Sequence, residues 1–323
     1  MLKKLLLLGI LLLGILAAGI WAAKTYFFSK GAPVVVQIEP GQSATQVAKT
    51  LKEKGVIRSE LLFKIILRLT SSPKDIKAGT FDLRKNTSDL EVIACLKSSQ
   101  CNHYEKVTIL EGWRSEEIAE ALAENNITDA REFLNIVRKK DLEGYLYPST
   151  YLFSQNTPTQ KVVDEMLAQY KKNIAPLFKQ YPTDLTEKQV LTIASIVERE
   201  AVHHEERPKI AAVYLNRFRI GKRLEADPTV QYALGFSLKE NRYWKKGLTL
   251  SDLRIDDPYN TYRNEGLPPA PICNPSAASV KGVLQPEEDF KALYFVADSG
   301  GHHVFSRTYE EHLAHIRRIR GRR

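Results

Sequence analysis

The feature that most limits what this chain can become is its N-terminus. From Leu5 to Ala23 nineteen consecutive residues carry no charge, and Lys3, Lys4 and Lys24 bracket them. At about 1.5 Å of rise per residue a helix of that length spans roughly 28 Å, close to the hydrocarbon thickness of a bilayer. The run has no polar face, which argues against a buried soluble helix. Ala17 and Gly19 would make a poor, late cleavage site, so a retained single-pass anchor fits better than a cleaved signal. Lys24 and Lys30 answer Lys3 and Lys4, so the charge bias is weak; the simplest topology leaves a short tail inside and exports about 290 residues.

Beyond the anchor the sequence is ordinary and globular. The 323 residues are 43% hydrophobic and 26% charged, enough for about two domains. A net charge of +9 suits anionic headgroups or anionic wall polymers. Nucleic acid is not an expected partner, because no binding motif is present and the chain leaves the cytoplasm. The basic end, Arg317 to Arg323, complements the dipole of a closing helix. Cys95 and Cys101 lie close enough to close a short loop in an oxidising compartment, leaving Cys273 free. The histidine pairs His203/His204 and His302/His303 point their neighbouring side chains apart and lack an HExxH-like spacing, so no metal and no cofactor is expected.

A strand–turn–helix unit occurs twice. Val34–Ile38 reads as a strand, Pro40-Gly41 as a turn, and Ser43 or Thr45 as the cap of a helix carrying Val47, Ala48 and Leu51. Seventy-one residues later Val107–Leu110, Gly112, Ile118-Ala119 and Leu122 repeat the pattern, and Ile127 answers Val56. Two copies are too few for a solenoid, and a glycan-binding module and a plain structural repeat both remain open. Between them lie an apolar helix at Leu61–Leu69, a strand at Gly79–Leu83 and a helix at Ser88–Lys97. Glu143–Phe153, rich in Tyr and Pro, reads as an ordered connection. Downstream, helices are predicted over Thr159–Phe178, from Thr186 through Ala201 and beyond, and over 207–220. The irregular segment 255–276 has the length of a functional loop. Leu293–Ala297 and His302–Phe305 flank a hairpin turn, and Thr308 with Glu311 forms a capping box for a last helix. The class is α+β.

The helix Val190–Glu200 carries the chemistry. At about 100° per residue Val190, Ile193, Ala194, Val197 and Ala201 make one buried stripe, with Glu198 beside it and Glu200 roughly 160° away from Glu198. The two carboxylates diverge, so one of them serves a given site. Apolar neighbours are expected to raise the pKa of Glu198, letting it hand a proton to a glycosidic oxygen.

Ala194–Glu200 (ASIVERE), Ala212–Arg217, Leu224–Tyr232, Asn260–Tyr262, Gly266–Pro269, Pro271–Pro275, Tyr294–Asp298 with Gly301-His302, and Glu143–Pro148 together resemble the endolytic murein transglycosylase (YceG-like) family across nearly the whole chain. Ser149, Ser276 and Leu313 depart from the usual Asp, Gly and Asn.

The resemblance implies an inner-membrane protein with a periplasmic catalytic domain that cuts nascent peptidoglycan strands internally. The product would be a 1,6-anhydro-N-acetylmuramic end, with synthases as further partners. It carries the catalytic glutamate onto Glu198, and it makes the first module LysM-like. The expected division is 1–30 tail and anchor, 31–102 LysM-like module, 103–154 second unit and connector, 155–323 catalytic domain. In a lytic transglycosylase the sugar's own C6 hydroxyl attacks C1, so one carboxyl suffices where a conventional glycosidase needs two. Asp227, Gln231, Asn260 and Tyr262 are candidates for holding the sugars. For Asp227 a turn role before Pro228, and for Asn260 and Tyr262 plain loop structure, remain open. A muramidase that uses water with the same acid, or a wall-binding scaffold without catalysis, are the alternatives.

Overall fold

The computed structural model describes residues 31–72, 75–98 and 101–321, and it divides into two compact units. The run Leu5–Ala23 lies outside the described residues, and among these no helix is long and apolar enough to cross a membrane.

The first unit extends to Glu105, with Phe153–Asn156. Strand β1 (Pro33–Ile38) pairs antiparallel with β2 (Gly79–Arg84), setting Val36 opposite Phe81. Helices α1 (Ala44–Glu53), α2 (Glu60–Thr70) and α3 (Asp89–Lys97) complete it. Ser43 caps α1 in a capping box with Gln46, satisfying two backbone donors that the first turn would otherwise leave open. Val36, Leu51, Phe63, Phe81 and Leu96 are fully buried in its core. Cys95 and Cys101 are joined by a disulfide, and Cys273 is free and buried.

The second copy of the repeat begins with β3 (Glu105–Thr108), two residues earlier than its pattern predicts, and continues through α4 (Ser115–Glu124). Both copies place glycine at the turn with positive φ, +82° at Gly41 and +77° at Gly112, where a side chain would be strained. Leu51 and Leu122, and Val56 and Ile127, are fully buried in both. The copies differ in pairing, since β1 takes β2 while β3 takes β4 (Thr150–Phe153).

The second unit comprises Lys106–Leu152 and Thr157–Arg323, so the compact body that holds the Glu198 helix also takes in most of the second copy and its connector. Asn274 supplies a reason. Fully buried, it accepts the amides of Gly144 and Leu146 at 2.9 Å and donates to Trp113 and Glu143, stitching the second copy to the long loop. Gly144 sits so close to Pro271 that a Cβ there would approach it to 2.6 Å.

After α5 (Ala130–Lys139) the predicted helix Thr159–Phe178 divides into α6 (Thr159–Asn173) and α7 (Ala175–Gln180). Pro176, which has no N–H to donate, stands at the start of α7. Helix α8 (Glu187–Glu200), capped by Thr186 with Gln189, is buried continuously from Val190 to Val197. It packs on α9 (Arg207–Arg219), α10 (Asp227–Leu234) and α11 (Ala277–Leu284) around the unit's main core. The segment 255–276 contains no helix or strand. The antiparallel hairpin of β5 (Tyr294–Ala297) and β6 (His303–Ser306) leads to α12 (Tyr309–Arg320), capped by Thr308 and Glu311.

Candidate active site

The last turn of α8 presents Glu198 and Glu200 to two different environments, as their angular separation requires.

Glu198 points into protein. Its Oε1 accepts from Arg207 at 3.0 Å, and its Oε2 accepts the backbone N–H of Ser276 at 2.8 Å and the Ser276 hydroxyl at 2.5 Å. Both side chains of the Glu198–Arg207 pair are only 5% exposed, so the carboxylate is held in an ion pair largely screened from water. Ser276 is the N-cap of α11, so the carboxylate meets the positive end of a helix. Burial pushes the Glu198 pKa up, but the Ser276 bonds, the Ser279 hydroxyl and the Arg207 charge outweigh it and hold the pKa below its ordinary value. The expectation of a raised pKa here is therefore overturned: the local sequence shows the apolar neighbours but not the donors that arrive from α9 and α11. Ser276, one of the departures from the family pattern, is the residue that clamps this carboxylate. Arg207 also donates to Ser279 at 2.8 Å and contacts His204, which completes an ionic knot joining three helices.

Glu200 lies on the other flank and lines a groove of about 390 Å³ with Tyr214, Arg217, Asp227, Tyr262 and Tyr294. The Tyr214 hydroxyl donates to Oε1 at 2.9 Å, and among the described residues no hydrogen bond to Oε2 is seen. Burial pushes the Glu200 pKa up to about 7; Asp227 adds to the rise, while Tyr214 and Arg199 oppose it. Here desolvation wins, because one neutral donor does not replace the hydration of a carboxylate.

Two of the four candidate sugar-holding residues assemble around Glu200. Asp227 opens α10, and its Oδ1 accepts the Tyr262 hydroxyl at 2.6 Å. Arg217 is fixed on the far wall by the carbonyls of Leu293 and Leu224 and by the Glu225 carboxylate, with its guanidinium 4.9 Å from the Tyr294 ring. His312 stacks on the same ring, and burial with the Arg217 charge lowers its pKa. The other two candidates are placed differently. Asn260 is fully buried; it donates to the carbonyls of Leu253 and Ile255 and accepts the Tyr262 amide, so it shapes the loop that presents Tyr262. Gln231, one turn along α10, donates to the Lys245 carbonyl. The Asn260 side chain is fully engaged by backbone, the Gln231 bond uses only its Nε2, and neither residue lines the groove at Glu200.

Tyr214 and Arg217 are groove residues that reading the sequence misses. Their signal is their spacing within the 212–217 motif, which at three residues apart sets both on one helix face. A larger groove of about 570 Å³, between α9 and the loop Gln285–Lys291, contains none of the candidate residues.

A groove with one half-sealed acid, a phenol, a second carboxylate and an arginine is suited to proton transfer on a polar, uncharged bond. Comparison with known proteins agrees with the family motifs. The profile of the YceG-like family matches residues 36–318. An endolytic murein transglycosylase of Bacillus subtilis is 32% identical over 311 residues, covering 86% of this chain and 82% of its own. A Streptococcus pneumoniae protein of the same name is 29% identical over 317 residues, and the alignment spans 57% of that longer chain. A 2.6 Å crystal structure of a Listeria monocytogenes protein described as yceG-like superposes with a TM-score of 0.56 at 29% identity, covering 88% of this chain and 99% of that one. With the match running through both units and the groove, the chain belongs to the YceG-like family.

Proposed function

We propose that this protein is a lytic endotransglycosylase of peptidoglycan in which Glu200, rather than Glu198, is the general acid and base. The observation that carries the assignment is the place of the Glu200 carboxyl, held by Tyr214 in a groove shared with Asp227 and Tyr262, where burial pushes its pKa up to about 7. A carboxyl of that pKa is substantially protonated at neutral pH and gives a usable base after it ionises. In the reaction, Glu200 protonates the oxygen linking N-acetylmuramic acid to the next sugar, and the C1–O bond breaks as positive charge spreads over C1 and the ring oxygen. The C6 hydroxyl of the same muramic residue attacks C1 and returns its proton to the Glu200 carboxylate. One C–O bond forms and one breaks, the proton lent by the carboxyl is returned, no water is consumed, and the product ends in a 1,6-anhydro ring. Asp227, oriented by Tyr262, supplies negative charge beside the developing cation.

The curated relatives bear the name of this activity, and the family resemblance supports nascent glycan strands as its substrate. The apolar run Leu5–Ala23 supports a single-pass inner-membrane anchor with both units in the periplasm. The β1–α1 unit supports a LysM-like role in strand engagement, next to the synthases that make the strands. Mass spectrometry of uncrosslinked glycan strands digested by the full chain tests the reaction: anhydro-muramic ends are expected, reducing ends would convert the enzyme to a muramidase, and uncut strands would leave a scaffold.

A further inference from the structure

The histidine pairs that chelate poorly on their own are brought together by the fold. His203 follows α8, and His302 sits in the turn between β5 and β6. Their rings stack in parallel with centroids 3.6 Å apart. One ring nitrogen from each and one Glu205 carboxylate oxygen lie within 4.8 Å of one another. We infer that His203, Glu205 and His302 form a structural site for a divalent transition ion, Zn²⁺ being the ion that the donor set suits.

Two imidazoles and a carboxylate are a familiar protein ligand set for Zn²⁺, with a fourth position left to water. Hard ions such as Mg²⁺ ask for oxygen donors instead. A second observation points the same way. Ligating imidazoles are usually held through their other nitrogen by a carbonyl or a carboxylate, which fixes the tautomer. His203 Nε2 bonds the Gly300 carbonyl at 3.0 Å, and His302 Nδ1 faces Glu206 Oε1 at 3.5 Å. Each ring therefore has an acceptor beside one of its nitrogens, and coordination would use the other, Nδ1 of His203 and Nε2 of His302. Glu206 is itself anchored by His303, whose Nδ1 lies 2.7 Å from Oε2. Donors about a tetrahedral Zn²⁺ stand roughly 3.3 Å apart given bonds of about 2.0–2.1 Å, so loading requires the rings to tilt and the cluster to close slightly. His302 and Glu205 are exposed, which leaves room for that movement.

The ion would join two segments already in near contact: a Cβ on Gly301 would approach Val202 to 3.3 Å. The same hairpin contributes Tyr294 and Phe295 to the groove. A metal here would tie one groove wall to the end of the helix that bears Glu200, without touching the reacting atoms.

The test uses the tag-free full chain in detergent, stripped with a chelator, then titrated with Zn²⁺ or Mg²⁺ by calorimetry and thermal melting. One equivalent of Zn²⁺ is expected to bind and raise the melting temperature, since an ion that binds only the folded state stabilises it, while Mg²⁺ does neither. His203→Asn/His302→Asn should abolish the Zn²⁺ shift, and Glu205→Gln should weaken binding by at least about tenfold, the cost of losing even an outer-shell partner, while leaving the metal-free melt unchanged. Absence of Zn²⁺ uptake by the parent chain, or equal uptake by the double variant, would overturn the site.

Discussion

The Tyr214 hydroxyl donates to Glu200 Oε1 across 2.9 Å, and this bond links α9 to the last residue of α8. It pulls the Glu200 pKa down, while burial and Asp227 push it up to about 7. The protonation state of the acid is thus set by identifiable neighbours, each of which can be removed alone.

Substituting the two neighbours should move the pH profile in opposite directions. Tyr214→Phe removes a bond that favours the charged form, so the alkaline limb of kcat/KM should shift to higher pH. Asp227→Asn removes a charge that disfavours it, so the same limb should shift to lower pH, with an added loss of kcat. Measuring kcat/KM from pH 5 to 9 checks both, and shifts of the same sign would contradict the assignment.

Glu200 also costs stability above its pKa. Its folded pKa stands above the unfolded value near 4.5, so the protonated form is favoured in the fold. Its stabilising contribution is complete below about pH 4.5 and is lost as pH rises through about 7. Glu200→Gln, which cannot ionise, should therefore melt a few degrees higher than the parent at pH 8, with the difference closing towards pH 5. Melting curves at the two pH values decide it.

Glu198 makes the converse prediction. Removing one partner of a sealed ion pair strands the other, a loss of about 3–5 kcal/mol. Glu198→Ala should lower the melting temperature strongly and Arg207→Ala comparably, whereas the activity of molecules still folded should fall far less than in Glu200→Gln. Its depressed pKa means that the pair stabilises the fold above the ordinary carboxylate range and fails as acid protonates it. A Glu198→Ala protein with unchanged melting would refute the structural role.

Local structure is legible in the sequence where it depends on neighbours in the chain. The helix start at Thr186, the capping box at Thr308, the hairpin after Ala297 and the doubled strand–turn–helix unit all appear where residue spacing puts them, to within two residues. The divergence of Glu198 and Glu200 is legible too, being helix geometry. Which flank faces the groove is not. Ser276 reaches Glu198 from 78 residues downstream, and Tyr214 reaches Glu200 from 14 residues downstream. Periodicity registers apolar surroundings but not donors delivered by other helices, so it assigns the raised pKa to the wrong member of the pair. The backbone partners of Asn260 and Gln231 are hidden for a related reason: a polar side chain on a loop or a helix face looks the same in sequence whether it meets solvent or a backbone carbonyl.

The most direct test compares Glu200→Gln with Glu198→Gln in the full chain, reading anhydro-muramic ends released from uncrosslinked glycan strands, with thermal melting as the control for folding. General acid–base catalysis contributes about 10²–10⁴-fold, so Glu200→Gln should lose at least that range while remaining folded, and Glu198→Gln should stay within about tenfold once corrected for its folded fraction. A folded Glu200→Gln enzyme with near-normal release, beside a folded and inactive Glu198→Gln, would return the acid to Glu198.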